Sequence, residues 1–301
     1  MPDSTESLIA LLDLEPIERN IYRGENRDIG SGRIFGGQVL AQALVAARRT
    51  IPEEDREAHS LHGYFILEGD LSTPVVYFVD RTRDGRSFTT RRVTAIQHGR
   101  AIFTLSASFH RTESGPSHQS GMPPVAPPEG LPSELEILRD QSDRIPEELR
   151  TVLTQDRPLE FRPVEPYVPF DRTRRPAVRH IWLRATEALG DNPVHHQAAL
   201  AYASDYGILS TALQPHGRTV RDKDLMAASL DHSLWFHRPF RADEWLLYRI
   251  QSPVAHGARG FGRGTFHTRD GELVASAAQE GLLRTGIKPR GKRPPRVDPA
   301  Q

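Results

Sequence analysis

Across residues 35–49 the apolar side chains Val39, Leu40, Ala43, Leu44 and Ala47 recur at helical spacing and form one stripe, with Gly36-Gly37 at its start. Beyond it the period shortens. Runs near 61–67, 75–83, 87–97 and 101–109 predict strands, and Asp84-Gly85 and His98-Gly99 between them are turn signals. The same order returns later in the chain. Residues 196–213 carry Leu200, Ala201, Ala203, Ile208 and Leu209, predicting a helix that Gly207 weakens, with Asn192-Pro193 before it. Strands are expected near 226–236, 245–252, 260–268 and 273–283, with Asp270-Gly271 as the late turn.

A shift of about 170 residues lays Ser60-Leu61 on Ser229-Leu230, and a similar one lays His98-Gly99 on Asp270-Gly271. Self-similarity at that length means duplication of a domain rather than a solenoid. Each half is one helix followed by antiparallel strands, which makes the fold class α+β. The tight turns leave no room for parallel crossovers. Each sheet is expected to wrap its own helix, and the two sheets to join edge to edge, which removes exposed edges.

Between the halves lies a proline-rich bridge. Half of the 24 prolines fall between Pro116 and Pro176, so few regular elements are expected there beyond a short helix within 133–149. The organisation read from this pattern is a first unit at 1–115, a linker at 116–176, a second unit at 177–287 and a basic, proline-rich, solvated tail at 288–301.

Composition then removes whole classes of function. Lys+Arg and Asp+Glu are 39 each, so no strongly basic surface covers the protein and no nucleic-acid partner is expected. Cys is 0, which excludes disulfides, thiolate metal sites and a cysteine nucleophile. No apolar run approaches a membrane span, and no basic n-region precedes an apolar core at the N-terminus. Pro299, Ala300 and Gln301 do not form a peroxisomal address. A cytoplasmic protein without a membrane partner is the expectation.

Candidate chemistry lies where polar residues interrupt apolar patterns. Asp205 sits among Ala199, Leu200, Ala203, Ile208 and Leu209; it either faces solvent, caps a bend, or is a carboxylate kept for use. Ser229 stands in Ala227-Ala228-Ser229-Leu230, where a small hydroxyl at a strand start is also unremarked. Gln279 follows the small residues Ala275 to Ala278, which leave room for a ligand or a helix, or else mark an edge strand. Together the three could orient and deprotonate a water and polarise a carbonyl. Arg81, Arg83, Arg86, Arg91 and Arg92 flank the Asp84-Gly85 turn. They are either a solvated face or a contact for phosphates. Other chemistries lack their motifs: there is no Gly-x-Ser-x-Gly elbow, no P-loop, and no His-Glu-x-x-His pair among His195-His196, His232 and His237. Gly257, Gly260, Gly262 and Gly264 read as a closely packed strand rather than a dinucleotide loop. Neither a metal nor a cofactor is expected.

Longer motifs add a resemblance. The run Asp231-His232-Ser233-Leu234-Trp235-Phe236-His237-Arg238-Pro239-Phe240 resembles the acyl-CoA thioesterase II family. So do Ala212 to Gly217, Asp243 to Tyr248, Gln279-Glu280-Gly281, Arg33 to Gln38 and Gln97-His98-Gly99, in family order over about residues 10–285. The resemblance implies a double hotdog fold and hydrolysis of fatty acyl-CoA to fatty acid and CoA. It implies a catalytic trio at Asp205, Ser229 (serine where some members have threonine) and Gln279, and association into a homodimer or homotetramer.

One complete site per chain follows, because Gly37 or Gln38 falls near the Asp205 position, Ser60 opposite Ser229 and Ala107 opposite Gln279. Arg81, Arg83, Arg91, Gly36 and Gly37 are the expected substrate contacts, the glycines through a backbone N–H that meets the oxyanion. Two other readings stay open: a hotdog acyl-CoA hydratase or dehydratase, which would want a carboxylate–histidine pair, and a non-catalytic acyl-CoA-binding protein.

Overall fold

The computed structural model describes residues 7–30, 32–52 and 55–287; the expected tail at 288–301 lies outside them. Among the described residues thirteen antiparallel strands form one sheet. In chain order they are β1 (Glu15–Glu18), β2 (Ile21–Gly24), β3 (Arg56–Phe65), β4 (Val75–Asp84), β5 (Phe88–Gln97), β6 (Arg100–Arg111), β7 (Leu159–Pro163), β8 (Val178–Ala185), β9 (Leu225–Ser229), β10 (Asp231–Phe236), β11 (Leu246–His256), β12 (Arg259–Thr268) and β13 (Leu273–Thr285). Twelve run in the order β1-β2-β4-β5-β6-β3-β10-β13-β12-β11-β8-β7, and β9 pairs with β13. The halves meet edge to edge at β3 and β10, where Asp231 lies opposite Tyr64 and Trp235 opposite Ser60. Each half thereby closes the other's open edge.

The helices are α1 (Leu8–Leu12), α2 (Gly36–Arg48), α3 (Glu134–Asp140), α4 (Glu147–Leu153), α5 (Pro193–Ser204) and α6 (Ile208–Leu213). Both long helices, α2 and α5, are buried and pack on each other. The sequence pattern of α2 gave one apolar stripe, yet every residue from Gly37 to Ala47 is buried. The reason lies in its two glutamines. Gln42 donates to the carbonyls of Leu11 (2.8 Å) and Glu25 (3.0 Å) and accepts from Tyr77 (2.6 Å). Gln38 accepts from Arg27 N–H at 3.0 Å. A buried amide is tolerated when its donors and acceptor are satisfied, so the polar face of α2 is covered by the chain leading into it.

The single helix expected over 196–213 is two helices. Asp205 is the C-cap of α5, and Gly207, at φ +85°, starts α6 in the left-handed region that glycine adopts without strain. The helix α6 then lies directly on the sheet. A Cβ on Gly262 would stand 2.4 Å from Ile208 Cγ2, and one on Gly281 would stand 2.0 Å from Leu209 Cδ2. The strand expected over 226–236 is likewise two, β9 and β10, broken at Leu230. Ser229 pairs with Gly281, while Asp231 has moved on to pair with β3.

The same break exists in the first half, where the β3–β6 register shifts between Ala58 and Ser60. Matching the two breaks lays Ala58, not Ser60, on Ser229. Ala107, paired with Leu61, falls at Gln279 as expected, because continuing the Ser233–Ala278 register places His232 opposite Gln279. The C-cap of α2 is Arg49, so Arg49 rather than Gly37 or Gln38 matches Asp205. Gly37 instead sits at the opposite end of α2, and the antiparallel helix pair brings that end to Asp205. The first half therefore has Arg49, Ala58 and Ala107 where the second has Asp205, Ser229 and Gln279.

The stretch 116–176 carries α3, α4 and the sheet-edge strand β7. The helix expected within 133–149 is α3, capped by a reciprocal pair in which Ser133 accepts from Glu136 N–H and Glu136 accepts from Ser133 N–H. Leu138, Ile145 and Leu153 make a small apolar cluster of their own beneath it.

Candidate active site

Asp205 stands where two helix ends face each other. As the C-cap of α5 it meets the negative end of that helix dipole, which disfavours a carboxylate. The N-terminus of α2 offsets this: Gly37 N–H donates to Asp205 Oδ2 at 3.0 Å. The approach needs glycine. A Cβ on Gly37 would lie 2.2 Å from the Tyr202 carbonyl oxygen, and one on Gly36 2.6 Å from Asp205 Oδ2. Gly37→Ala is expected to destabilise the fold by about 1–3 kcal/mol, because the clash is with backbone that cannot turn aside. Thermal denaturation of the variant checks this, and an unchanged melting temperature would mean that the helices separate freely here.

The three sequence-derived residues converge. Ser229 Oγ donates to Asp205 Oδ1 at 3.1 Å, and Gln279 Nε2 donates to Ser229 Oγ at 2.9 Å. The elements explain the meeting. Asp205 hangs from the break between α5 and α6, Ser229 ends β9, and Gln279 lies on β13, the strand to which β9 is paired. Asp205 and Ser229 line the main cavity, whereas Gln279 is fully buried behind Ser229 and acts on it from the protein side. Burial pushes the Asp205 carboxyl above its ordinary value. Hydrogen bonds from Gln279, Ser229 and Gly37 pull it back only in part.

Sequence reasoning passed over a fourth member. His232, on β10, is fully buried; its Nδ1 is hydrogen-bonded to Gln279 Oε1 and its Nε2 lies 2.8 Å from Ser204 Oγ. Its position opposite Gln279 depends on the break in register at Leu230. Among the described residues no group of His, Cys, Asp and Glu is arranged to hold a metal ion.

The bend that carries Asp205 is tied to β7 and to the stretch before it. Tyr206 stacks on Phe161 (ring centroids 4.1 Å apart, 19° between planes) and donates to Glu134, which also pairs with Arg157 at 2.9 Å. The adjoining cavity has a volume of about 1080 Å³. Its wall is apolar on the side of Ile34, Val39, Phe103, Leu138 and Val152. Arg179 and Arg221 also line it, bound to Ser210 Oγ (3.0 Å) and the Gly30 carbonyl (2.9 Å); Asp28 acts on Arg221 through its charge, but neither arginine is in a direct ion pair among the described residues.

The expected contacts at the Asp84-Gly85 turn are elsewhere. Arg91 is fully buried, and its guanidinium is spent on Thr50, the carbonyls of Arg83 and Thr90, and Asp84 at 2.5 Å. It cannot turn to a ligand without leaving those acceptors and Asp84 unpaired inside the protein. Arg81 pairs with Asp84 at 3.4 Å, and none of Arg81, Arg83 and Arg91 lines the cavity. Gly36 does line it, but the Gly37 N–H expected at an oxyanion is taken by Asp205. Gly36 N–H, at the first position of α2, has no intrahelical acceptor and is the donor left at that helix end.

Comparison with known proteins agrees with this architecture. Residues 149–282 match the family described as acyl-CoA thioesterase, and residues 24–110 match the acyl-CoA thioesterase N-terminal domain. The chain is 42% identical to acyl-CoA thioesterase 2 of Haemophilus influenzae over 287 residues, 94% of this chain and 99% of that one. It is 42% identical to human acyl-coenzyme A thioesterase 8 over 289 residues, covering 93% and 89% of the two chains. The crystal structure of an acyl-CoA thioesterase II from Mycobacterium marinum superposes with a TM-score of 0.75 at 41% identity, over 93% of this chain and 98% of that one. A hotdog-fold protein from Alicyclobacillus acidocaldarius shares the fold at 20% identity, with a TM-score of 0.74. With β3 and β10 joining two helix-wrapped halves, and with relatives matched along almost its whole length, this chain belongs to the acyl-CoA thioesterase family.

Proposed function

We propose that the protein hydrolyses fatty acyl-CoA to fatty acid and CoA, with a water activated at Asp205 and Ser229. The observation that carries the reading is the hydrogen-bonded chain Asp205–Ser229–Gln279 at the wall of a cavity of about 1080 Å³. Asp205 is the general base. It takes a proton from the water as the water oxygen bonds to the thioester carbon, and it returns that proton to the thiolate when the C–S bond breaks. Its raised pKa suits both steps, since it moves toward working pH. Ser229 holds the water beside Asp205, and Gln279 holds Ser229. Gly36 N–H is the donor placed for the oxyanion. The apolar wall takes the acyl chain.

Arg179 and Arg221 replace the arginines near Asp84 as the contacts for the anionic part of CoA. Arg179→Gln and Arg221→Gln are each expected to raise KM for an acyl-CoA roughly tenfold by removing a charge-assisted hydrogen bond, with kcat little changed. Arg81→Gln is expected to leave KM unchanged. Steady-state kinetics on the three variants check this assignment.

A hydratase reading would want an imidazole facing substrate together with the carboxylate. His232 does not line the cavity, and Gln279 stands between it and Ser229. A thiol-release assay with a panel of acyl-CoAs tests the proposal. Release of free CoA is expected; hydration of an enoyl-CoA, or binding without turnover, would overturn it.

A further inference from the structure

The hydrogen-bond chain does not end at Gln279, and its directions can be worked out atom by atom. A carboxylate only accepts, so the single hydrogen of Ser229 goes to Asp205 Oδ1. Ser229 Oγ then takes an N–H from Gln279 Nε2. That turns the other end of the amide, Oε1, toward His232 Nδ1. An amide oxygen also only accepts, so the imidazole must carry a hydrogen on Nδ1. At the far side of the ring, Ser204 Oγ lies 2.8 Å from both His232 Nε2 and the Ala201 carbonyl, and its one hydrogen can serve either.

We infer that His232 is a positioning residue for hydrolysis: a ring with its proton on Nδ1 that fixes which way the Gln279 amide faces. This rests on the proposed reaction at Asp205. If the amide were reversed, its oxygen would face Ser229 Oγ. The Ser229 hydrogen would then be shared between two acceptors, and the hydroxyl would lose its hold on Asp205. Burial pushes His232 below its ordinary value, and the charges of Asp205 and Asp231, with the Gln279 bond, oppose this only in part. Asp231 is itself engaged, accepting from Glu280 N–H at 2.8 Å. The ring is therefore neutral, Nε2 is bare, and Ser204 gives it the hydroxyl hydrogen. The corresponding residue of the first half, by the matched breaks in register, is Leu61, which has no polar atom to offer. All four members of the chain are thus confined to one half.

Two substitutions separate this role from mere filling of space. His232→Phe keeps a buried ring but has no donor. It is expected to lower kcat roughly tenfold to a hundredfold, as loss of other outer-shell partners does, with KM nearly unchanged. His232→Asn carries an amide N–H near the Nδ1 position and is expected to recover most of that loss. A ring that only fills space predicts the reverse order, with Phe tolerated and Asn worse, and that result would overturn the inference. Nitrogen-15 NMR of the unaltered protein reads the tautomer without any reaction or variant. Hydrogen on Nδ1 near neutral pH is expected, and hydrogen on Nε2 alone would refute the role. If no thioester is hydrolysed at all, the reading of the reaction fails, while the tautomer still decides what His232 does to Gln279.

Discussion

Replacing Asp205 by Asn is expected to abolish turnover and to make the protein more stable. The first effect is loss of the general base, worth at least about a hundredfold in kcat. The second follows from the direction of the pKa. Asp205 is raised in the folded protein, so the fold favours its protonated form. That preference stabilises the protein fully below the unfolded carboxyl pKa, and it is lost as pH rises through the folded value. At neutral pH the ionised group is a net cost, and a neutral amide of the same shape removes it. The gain in melting temperature should therefore be present at pH 7 and vanish below the ordinary carboxyl pKa. Paired thermal melts at the two pH values check this. In the unaltered protein the same shift should hold the acid limb of the kcat/KM profile above the usual carboxylate range, with activity falling as pH drops through it.

Ser229→Ala and Gln279→Ala are each expected to lower kcat on the order of a hundredfold, comparable with loss of a single preorganised donor. The double variant should lose clearly less than the product of the two single losses. Gln279 reaches the cavity only through Ser229 and Asp205, so the part of its effect that passes through the serine is already gone once Ser229 is removed. A double-mutant cycle on kcat measures this. A double variant with the product of both losses would mean that Gln279 touches substrate or water on its own.

Much of the fold was legible because two periods alternate in the same order twice. Strands at 75–83 and 87–97 lie within a residue or so of the observed β4 and β5, since tight glycine turns bound them. The breaks were not legible. Nothing local marks Leu230 as the end of one pairing, because the break is a one-residue shift in register against β13, which both β9 and β10 pair with, and at which β10 also takes up β3. That same break misled the matching of the halves, which set Ser60 rather than Ala58 against Ser229. Asp205 was legible as a carboxylate in an apolar run, but that it closes one helix against the start of another is a tertiary fact. Arg91 was open to a better reading: strand alternation puts it on the face of Val93 and Ala95, both buried. His232 was hidden because the sequence does not show what lies across the sheet from it.

On the proposed mechanism water, not a side chain, attacks the thioester. Rapid quenching of the enzyme with a fatty acyl-CoA, followed by intact-mass measurement, tests it most directly. With water as the nucleophile and Asp205 as its base, the protein should stay unmodified while CoA and fatty acid appear in equal amounts. Protein heavier by one acyl group, with the addition mapped to Ser229, would contradict the account.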